Sequence, residues 1–227
     1  MNQFAQRSYT ADSLTYLISG NILLKGGSVT AVLWWAWFRE GETKIRDREF
    51  ILCGISIAVV ALFVARALAF LLPFRERPLN NPALHFRLPF GVHEKELIGW
   101  SSFPSDHAVL YFALATCIYF ISRRAGIMTF CYSFLVVLLP RVYLGFHYPT
   151  DVAAGGFLGV SLACLAQVQS VRTLLTSSPM RWLDRSPASF YACFFLVTFL
   201  TATNFGPLRE ICVSSWYIAS GVIHHLP

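Results

Sequence analysis

His107 lies in Phe103-Pro104-Ser105-Asp106-His107, and His147 lies in Arg141-x5-His147-x3-Asp151. Both stand at the mouths of apolar runs, and the apolar chain between them is long enough to cross a bilayer and return. Two imidazoles, an arginine, a serine and a carboxylate then meet at one membrane face. Such a set suits phosphoryl transfer. One neutral imidazole attacks phosphorus, a second protonates the leaving oxygen, and cations hold the charge of the equatorial oxygens.

Each residue has a physical reason to be there. Proline favours the first position of a helix, so Pro104 predicts a helix start with Ser105, Asp106 and His107 in its first turn. Their backbone N–H groups and the helix dipole make an anion site, and Ser105 adds a hydroxyl donor. Arg141 falls at the end of an apolar segment, where a buried guanidinium costs roughly 2.5–3.5 kcal/mol and calls for a partner. Its planar fork suits two phosphate oxygens. His147 sits in the helix break Gly145-Phe146-His147-Tyr148-Pro149. Asp151, four residues on, is placed to accept from one imidazole nitrogen and leave the other free to attack. Phe74-Arg75-Glu76-Arg77-Pro78 offers two further arginines to clamp the remaining charge.

The elements that must carry these residues are membrane helices. The chain of 227 residues is 56% hydrophobic and only 13% charged, against about 25% charged in a soluble domain. It reads as one integral membrane domain, all-α, a polytopic bundle of about six membrane helices. They are expected at 22–38, 50–72, 104–121, 127–145, 149–169 and from near Pro187 to Thr203. Residues 8–20 predict an interfacial lead-in helix, and Trp34, Trp35 and Trp37 an aromatic belt meeting water. The segment 73–100 is a long extramembrane loop carrying part of the site, and 172–185 is a polar link. The tail 208–224 is apolar but short, interfacial or a helix extension. The first residues lack the pattern of a cleaved signal peptide and are expected to be retained.

The net charge of +6 does not point to nucleic acid, because the basic residues are scattered between apolar segments. The six cysteines form no C-x-x-C pair and read as small core residues. No carboxylate cluster suggests a metal, and no cofactor is expected. Gly155-x3-Gly159 is a packing motif, either within the chain or between copies.

Arg77-Pro78, Pro104-Ser105-Asp106-His107 and Arg141-x5-His147-x3-Asp151 together resemble the three signature motifs of the type 2 phosphatidic acid phosphatase superfamily. The resemblance covers roughly residues 50–170. Phe-Pro-Ser-Asp-His-Ala, with Asp106 where many members have glycine, is most similar to bacterial undecaprenyl-diphosphate phosphatases. The resemblance implies His147 as nucleophile, Asp151 as its partner, His107 as general acid, and Arg77, Ser105 and Arg141 as phosphate ligands. It also implies a metal-independent enzyme whose partners are a lipid phosphate and membrane lipids. The family's first motif usually has a lysine seven residues before its Arg-Pro arginine. Here that position is Phe70, which leaves Arg66 or Arg75 to replace it, with Asp106 also beside the phosphate site. The third motif often has serine before its arginine, where this chain has Pro140.

Basic residues set the expected orientation. Loops 39–48, 122–125 and 170–186 carry Arg39, Lys44, Arg46, Arg48, Arg123, Arg124, Arg172, Arg181 and Arg185. The positive-inside rule puts them in the cytoplasm, so the histidine face of a bacterial inner-membrane protein looks to the periplasm. The same site fits other substrates: phosphatidate, phosphatidylglycerophosphate or lipid A phosphates. A lipid phosphotransferase, a vanadium haloperoxidase-like oxidase and a non-enzymatic transporter are the competing classes.

Overall fold

The computed structural model describes residues 3–93, 96–207, 211 and 215. Among them there are helices and loops and no strand. Most of the expected tail at 208–224 lies outside the described residues.

Among the described residues nine α-helices follow in order. They are α1 (Tyr9–Gly20), α2 (Ser28–Phe38), α3 (Lys44–Leu71), α4 (Asp106–Ile121), α5 (Arg123–Tyr132), α6 (Leu139–Tyr143), α7 (Pro149–Ala163), α8 (Gln169–Arg185) and α9 (Pro187–Ala202). Three continuous helical segments are long and apolar enough to cross a membrane: Lys44–Leu71, Arg123–Tyr143 and Pro149–Gln167. Tyr9–Gly20 and Leu23–Phe38, bent by 63°, qualify together as a fourth. Two shorter apolar helices occupy the remaining two of the six expected segments. Asp106–Ile121 and Pro187–Ala202 are apolar but have only 16 residues each.

α4 stands at the centre of the bundle. Twelve of its sixteen side chains are buried, around its whole circumference, as expected of a helix that is apolar all round. α3, α5 and α7 enclose it. The contact with α7 is the tightest. A Cβ at Gly155 would lie 2.6 Å from the Ser105 carbonyl oxygen, one at Gly156 2.6 Å from the Phe112 ring, and one at Gly159 against the Val109 carbonyl. The Gly155-x3-Gly159 stripe thus packs within the chain, and small residues let two backbones approach.

Two other expectations change. The stretch 172–185 is the helix α8, with Pro179 inside it. It is pinned to α3 by Arg172, which pairs with Glu49 at 3.4 Å and donates to the Ala166 carbonyl at 2.7 Å. The tryptophans of α2 do not form one belt. Trp35 is exposed, but Trp37 is fully buried, stacked on Phe190 and Phe194 of α9, with its Nε1 donating to Tyr191 at 3.2 Å. The cysteines hold no disulfide among the described residues. Cys53 and Cys117 are buried, while Cys131, Cys164 and Cys193 are exposed on the bundle's flank rather than in its core.

α1 is tied down by its buried Asp12, which accepts from the backbone N–H of Gln6 at 2.9 Å and of Phe90 at 3.1 Å, and from the Tyr143 hydroxyl. One carboxylate so joins the lead-in helix, the long loop and the end of α6.

The glycine stripe gives a direct test. Gly159→Val should force α7 off α4, an overpacking cost of about 1–3 kcal/mol. The expected result is a lower thermal midpoint in detergent, with Gly20→Ala, where a Cβ meets nothing within 4 Å, showing no loss.

Candidate active site

α7 brings its first turn against the start of α4. The Ser105 backbone N–H donates to the Asp151 carbonyl at 3.1 Å. Ser105 has extended backbone angles (φ −75, ψ 114), so α4 begins one residue later, at Asp106. This corrects the expected helix start: Pro104 precedes the helix and Ser105 is its N-cap. An N-cap serine ordinarily bonds a backbone N–H in the first turn. Here the Ser105 hydroxyl is buried and without a hydrogen-bond partner among the described residues. It remains available to an anion at the helix mouth.

His147 sits at the corner between α6 and α7. Gly145 has φ +78 and makes the turn, and a Cβ there would meet the Phe86 ring at 2.6 Å. The Gly145 carbonyl accepts from Leu79 N–H at 3.1 Å, so the short turns Pro78–Asn80 and Pro82–Leu84 lie over the corner. Pro149 then starts α7, and the Asp151 carboxylate caps it by accepting from Tyr148 N–H at 2.8 Å.

The imidazole of His147 is nearly buried, and its Nδ1 lies 2.9 Å from the Ser102 carbonyl. A carbonyl only accepts, so Nδ1 carries the proton and Nε2 keeps its lone pair. The expected partner, Asp151, is farther, at 3.8 Å from Nδ1. Both its oxygens are already engaged, one by Tyr148 N–H and the other by Arg75 Nη1 at 2.6 Å. Burial, the first cause, pushes the His147 pKa down to about 4; Asp151 opposes the shift and the charges of Arg141 and Arg77 reinforce it. The ring is neutral at physiological pH.

The arginines divide into three kinds. Arg77 is buried and donates to three backbone carbonyls, those of Phe146 at 2.5 Å, Trp100 at 3.2 Å and Ser101 at 3.3 Å. It crosslinks the 100–102 strand of the loop to the His147 corner. Burial together with Arg141 and Arg66 lowers its pKa to about 10, so it stays charged at neutral pH. Arg66 and Arg75, the candidate replacements for the missing lysine, each hold a carboxylate. Arg66 pairs with Asp106, and Arg75 with Asp151. Asp106 therefore offsets a cation at the mouth of α4. Arg141 is 9% exposed, lies beside the Phe146 ring, and has a buried Nε with no partner among the described residues. It is the arginine with donor capacity to spare.

His107 lies in the first turn of α4, its Nδ1 3.5 Å from Asn204 Nδ2 and its ring 6.1 Å from that of Tyr111. Sequence reasoning missed Asn204, although it stands in the Thr203-Asn204-Phe205-Gly206-Pro207 break where α9 was expected to fade. It also missed the Ser102 carbonyl, which no side-chain motif could announce. Among the described residues no group of three or more His, Cys, Asp or Glu side chains is placed to hold a metal ion.

The neutral histidine carries a pH prediction. With His147 as the expected nucleophile, the neutral form is the reactive one, and protonation as pH falls through the lowered pKa removes it. The acid limb of kcat/KM, which reports the free enzyme, should therefore fall near or below pH 5. A limb at the ordinary histidine value of about 6.5 would show that the burial of His147 does not govern it.

Residues 50–173 match the PAP2 superfamily. Two bacterial proteins are similar in sequence. The first is "Bacitracin transport permease protein BcrC" of Bacillus licheniformis, 42% identical over 60 residues, 26% of this chain and 29% of that protein's length. The second is "Putative undecaprenyl-diphosphatase YbjG" of Escherichia coli (strain K12), 29% identical over 172 residues, 73% of this chain and 79% of the other. No solved structure matches the chain. The matched segment is more than half of the chain and holds both histidines, Arg77, Ser105, Arg141 and Asp151, and the protein belongs to the PAP2 superfamily.

Proposed function

We propose that this integral membrane protein is a lipid phosphatase that removes the terminal phosphate of a lipid diphosphate of the undecaprenyl type. The observation that carries the reading is His147, buried and neutral, with Nδ1 tied to the Ser102 carbonyl so that Nε2 keeps its lone pair, near an arginine that has a donor unused. Membership of the superfamily and similarity to YbjG, named for undecaprenyl-diphosphatase activity, support the substrate class.

The reaction runs in two steps. Nε2 of His147 attacks the terminal phosphorus, forming a P–N bond as the bridging P–O bond breaks. The leaving lipid phosphate takes a proton from His107. Water then attacks the phosphohistidine and gives a proton to His107, the P–N bond breaks, and inorganic phosphate leaves. Arg141, Arg77, the Ser105 hydroxyl and the α4 N–H groups stabilise the equatorial oxygens, where most catalysis of phosphoryl transfer arises. Asp151 acts by holding Arg75 and the α7 cap, and by its charge near the imidazole.

The test is a phosphate-release panel of the purified protein with undecaprenyl diphosphate, phosphatidate and phosphatidylglycerophosphate. The diphosphate should be preferred, with activity surviving EDTA and inhibited by vanadate. His147→Ala should lose at least a hundredfold, on the order expected for removing a nucleophile that acts with its partners as a unit. Asp151→Asn should retain more. Turnover by His147→Ala near wild type, or a loss on chelation restored by magnesium, would refute the mechanism.

The site is proposed to face the periplasm. Arg39–Arg48 and Arg123-Arg124 flank the starts of α3 and α5, whereas the site lies at the ends of α3 and α6 and the starts of α4 and α7. In a background without native cysteines, Ala83→Cys should react with an impermeant maleimide in intact cells. Glu42→Cys should react only once the membrane is opened. The reverse pattern would put catalysis in the cytoplasm.

A further inference from the structure

The chain leaves α9 through two successive residues with left-handed backbone angles, Asn204 at φ +51 and Phe205 at φ +57. Asparagine adopts such angles more readily than most residues. A bulky side chain adopts them only under strain, and strained backbone clusters at functional sites. The corner is nonetheless fixed. Phe205 N–H donates to the Leu200 carbonyl at 2.7 Å and Gly206 N–H to the Thr203 carbonyl at 3.1 Å. One turn back, Gly26 of the first span packs so closely on the Ala202 carbonyl that no Cβ fits.

An asparagine that merely ended a helix could leave its side chain in water. Asn204 is instead only 8% exposed, and its Nδ2 lies 3.5 Å from Nδ1 of His107. Its Oδ1 is buried with no hydrogen-bond partner among the described residues, an unfavourable condition for a carbonyl oxygen. A carboxamide has a donor end and an acceptor end. With Nδ2 toward Nδ1, it suits a ring whose proton is on Nε2. A half-turn of the amide brings Oδ1 to the same place, where it accepts from the Nδ1–H of a protonated ring. Oδ1 gives up no bond in that turn. In either state the ring is held at Nδ1.

We infer that Asn204 is a positioning residue for His107, its carboxamide holding Nδ1 so that the ring gives and takes its proton at Nε2. The inference rests on the phosphatase reading above. In the first step the Nε2 proton passes to the bridging oxygen as the P–O bond breaks, while Nδ1–H stays on the ring against Oδ1. In the second step the attacking water returns a proton to Nε2. A ring fixed at one nitrogen presents the other in a constant direction, which is what proton transfer requires. Asn204 lies beyond the residues 50–173 matched by the superfamily. The last apolar helix therefore supplies a part of the site that the signature motifs do not contain.

The experiment uses the purified full-length protein with Asn204→Gly, which removes the amide yet takes the left-handed angle without strain. Rates are measured with farnesyl monophosphate, whose leaving alkoxide needs the proton most, and with farnesyl diphosphate, whose leaving phosphate needs it less. Loss of the group that orients a general acid is expected to lower kcat about tenfold for the monophosphate. The diphosphate should lose less, with little change in either KM. On a His107→Ala background the same substitution should have no further effect. An equal loss for both substrates, or an undiminished loss with His107 absent, would leave Asn204 a structural role alone and overturn the inference. A second readout needs no turnover. In histidine-labelled protein the nitrogen NMR signal of His107 Nδ1, identified by its disappearance in His107→Gln, should shift in Asn204→Gly while that of His147 stays. An unmoved signal would also overturn the inference. If the wild type releases phosphate from no lipid, the phosphatase reading fails, and this signal alone decides whether Asn204 holds the ring.

Discussion

The close approach of α7 to α4 governs everything else in this molecule. Glycines at 155, 156 and 159 remove the side chains that would hold the two helices apart. Their N-termini come side by side, and the Ser105 N–H reaches the Asp151 carbonyl. Two helix mouths then share one small volume, each with its partial positive charge. The turn that precedes α7 must fold back over that volume, and it carries His147. Arg77 secures the fold-back through carbonyls on both sides, at Trp100 and Ser101 and at Phe146.

Electrostatics completes what packing begins. The site gathers Arg66, Arg75, Arg77 and Arg141 near two carboxylates, Asp106 and Asp151. The excess favours an anion and disfavours a second proton on His147. The same field that favours an anion thus keeps the His147 ring neutral. A carboxylate bonded directly to Nδ1 would act in the opposite sense, raising the basicity of the ring. Placing the Ser102 carbonyl there at 2.9 Å, with Asp151 at 3.8 Å, fixes the tautomer with less of that effect.

Much of this was legible in the sequence, and the failures have identifiable causes. The long apolar segments and their order follow from composition, so α3, α7 and the segment from α5 to α6 fell close to their expected bounds. His147, Asp151 and Arg141 were legible because they lie within one short stretch, where spacing constrains geometry. Which carboxylate meets which arginine was not, because Arg66 with Asp106 and Arg75 with Asp151 are contacts across the chain. Apolarity alone did not show which helix stands at the centre; most side chains of α4 are covered by protein. α8 was read as a link because its charges obscured helical periodicity, although Arg172 is consumed by Glu49 and the Ala166 carbonyl. Asn204 escaped because it follows the last apolar helix, far from any motif.

The unequal lengths of α3 and α4 have a consequence for how substrate arrives. Arg66 meets Asp106 at the start of α4, yet α3 continues to Leu71. At the rise of an α-helix, the mouth of α4 lies about 7–8 Å below the end of its neighbour. The last residues of α3, Phe70 and Leu71, are exposed and apolar, so that end of the helix still belongs to the lipid phase. The reacting centre is therefore sunk to the depth of a headgroup rather than raised above it. A lipid phosphate can enter sideways with its tail still solvated by other tails. Encounter becomes a search in two dimensions, the dephosphorylated lipid departs by the same route, and only inorganic phosphate has to cross into water.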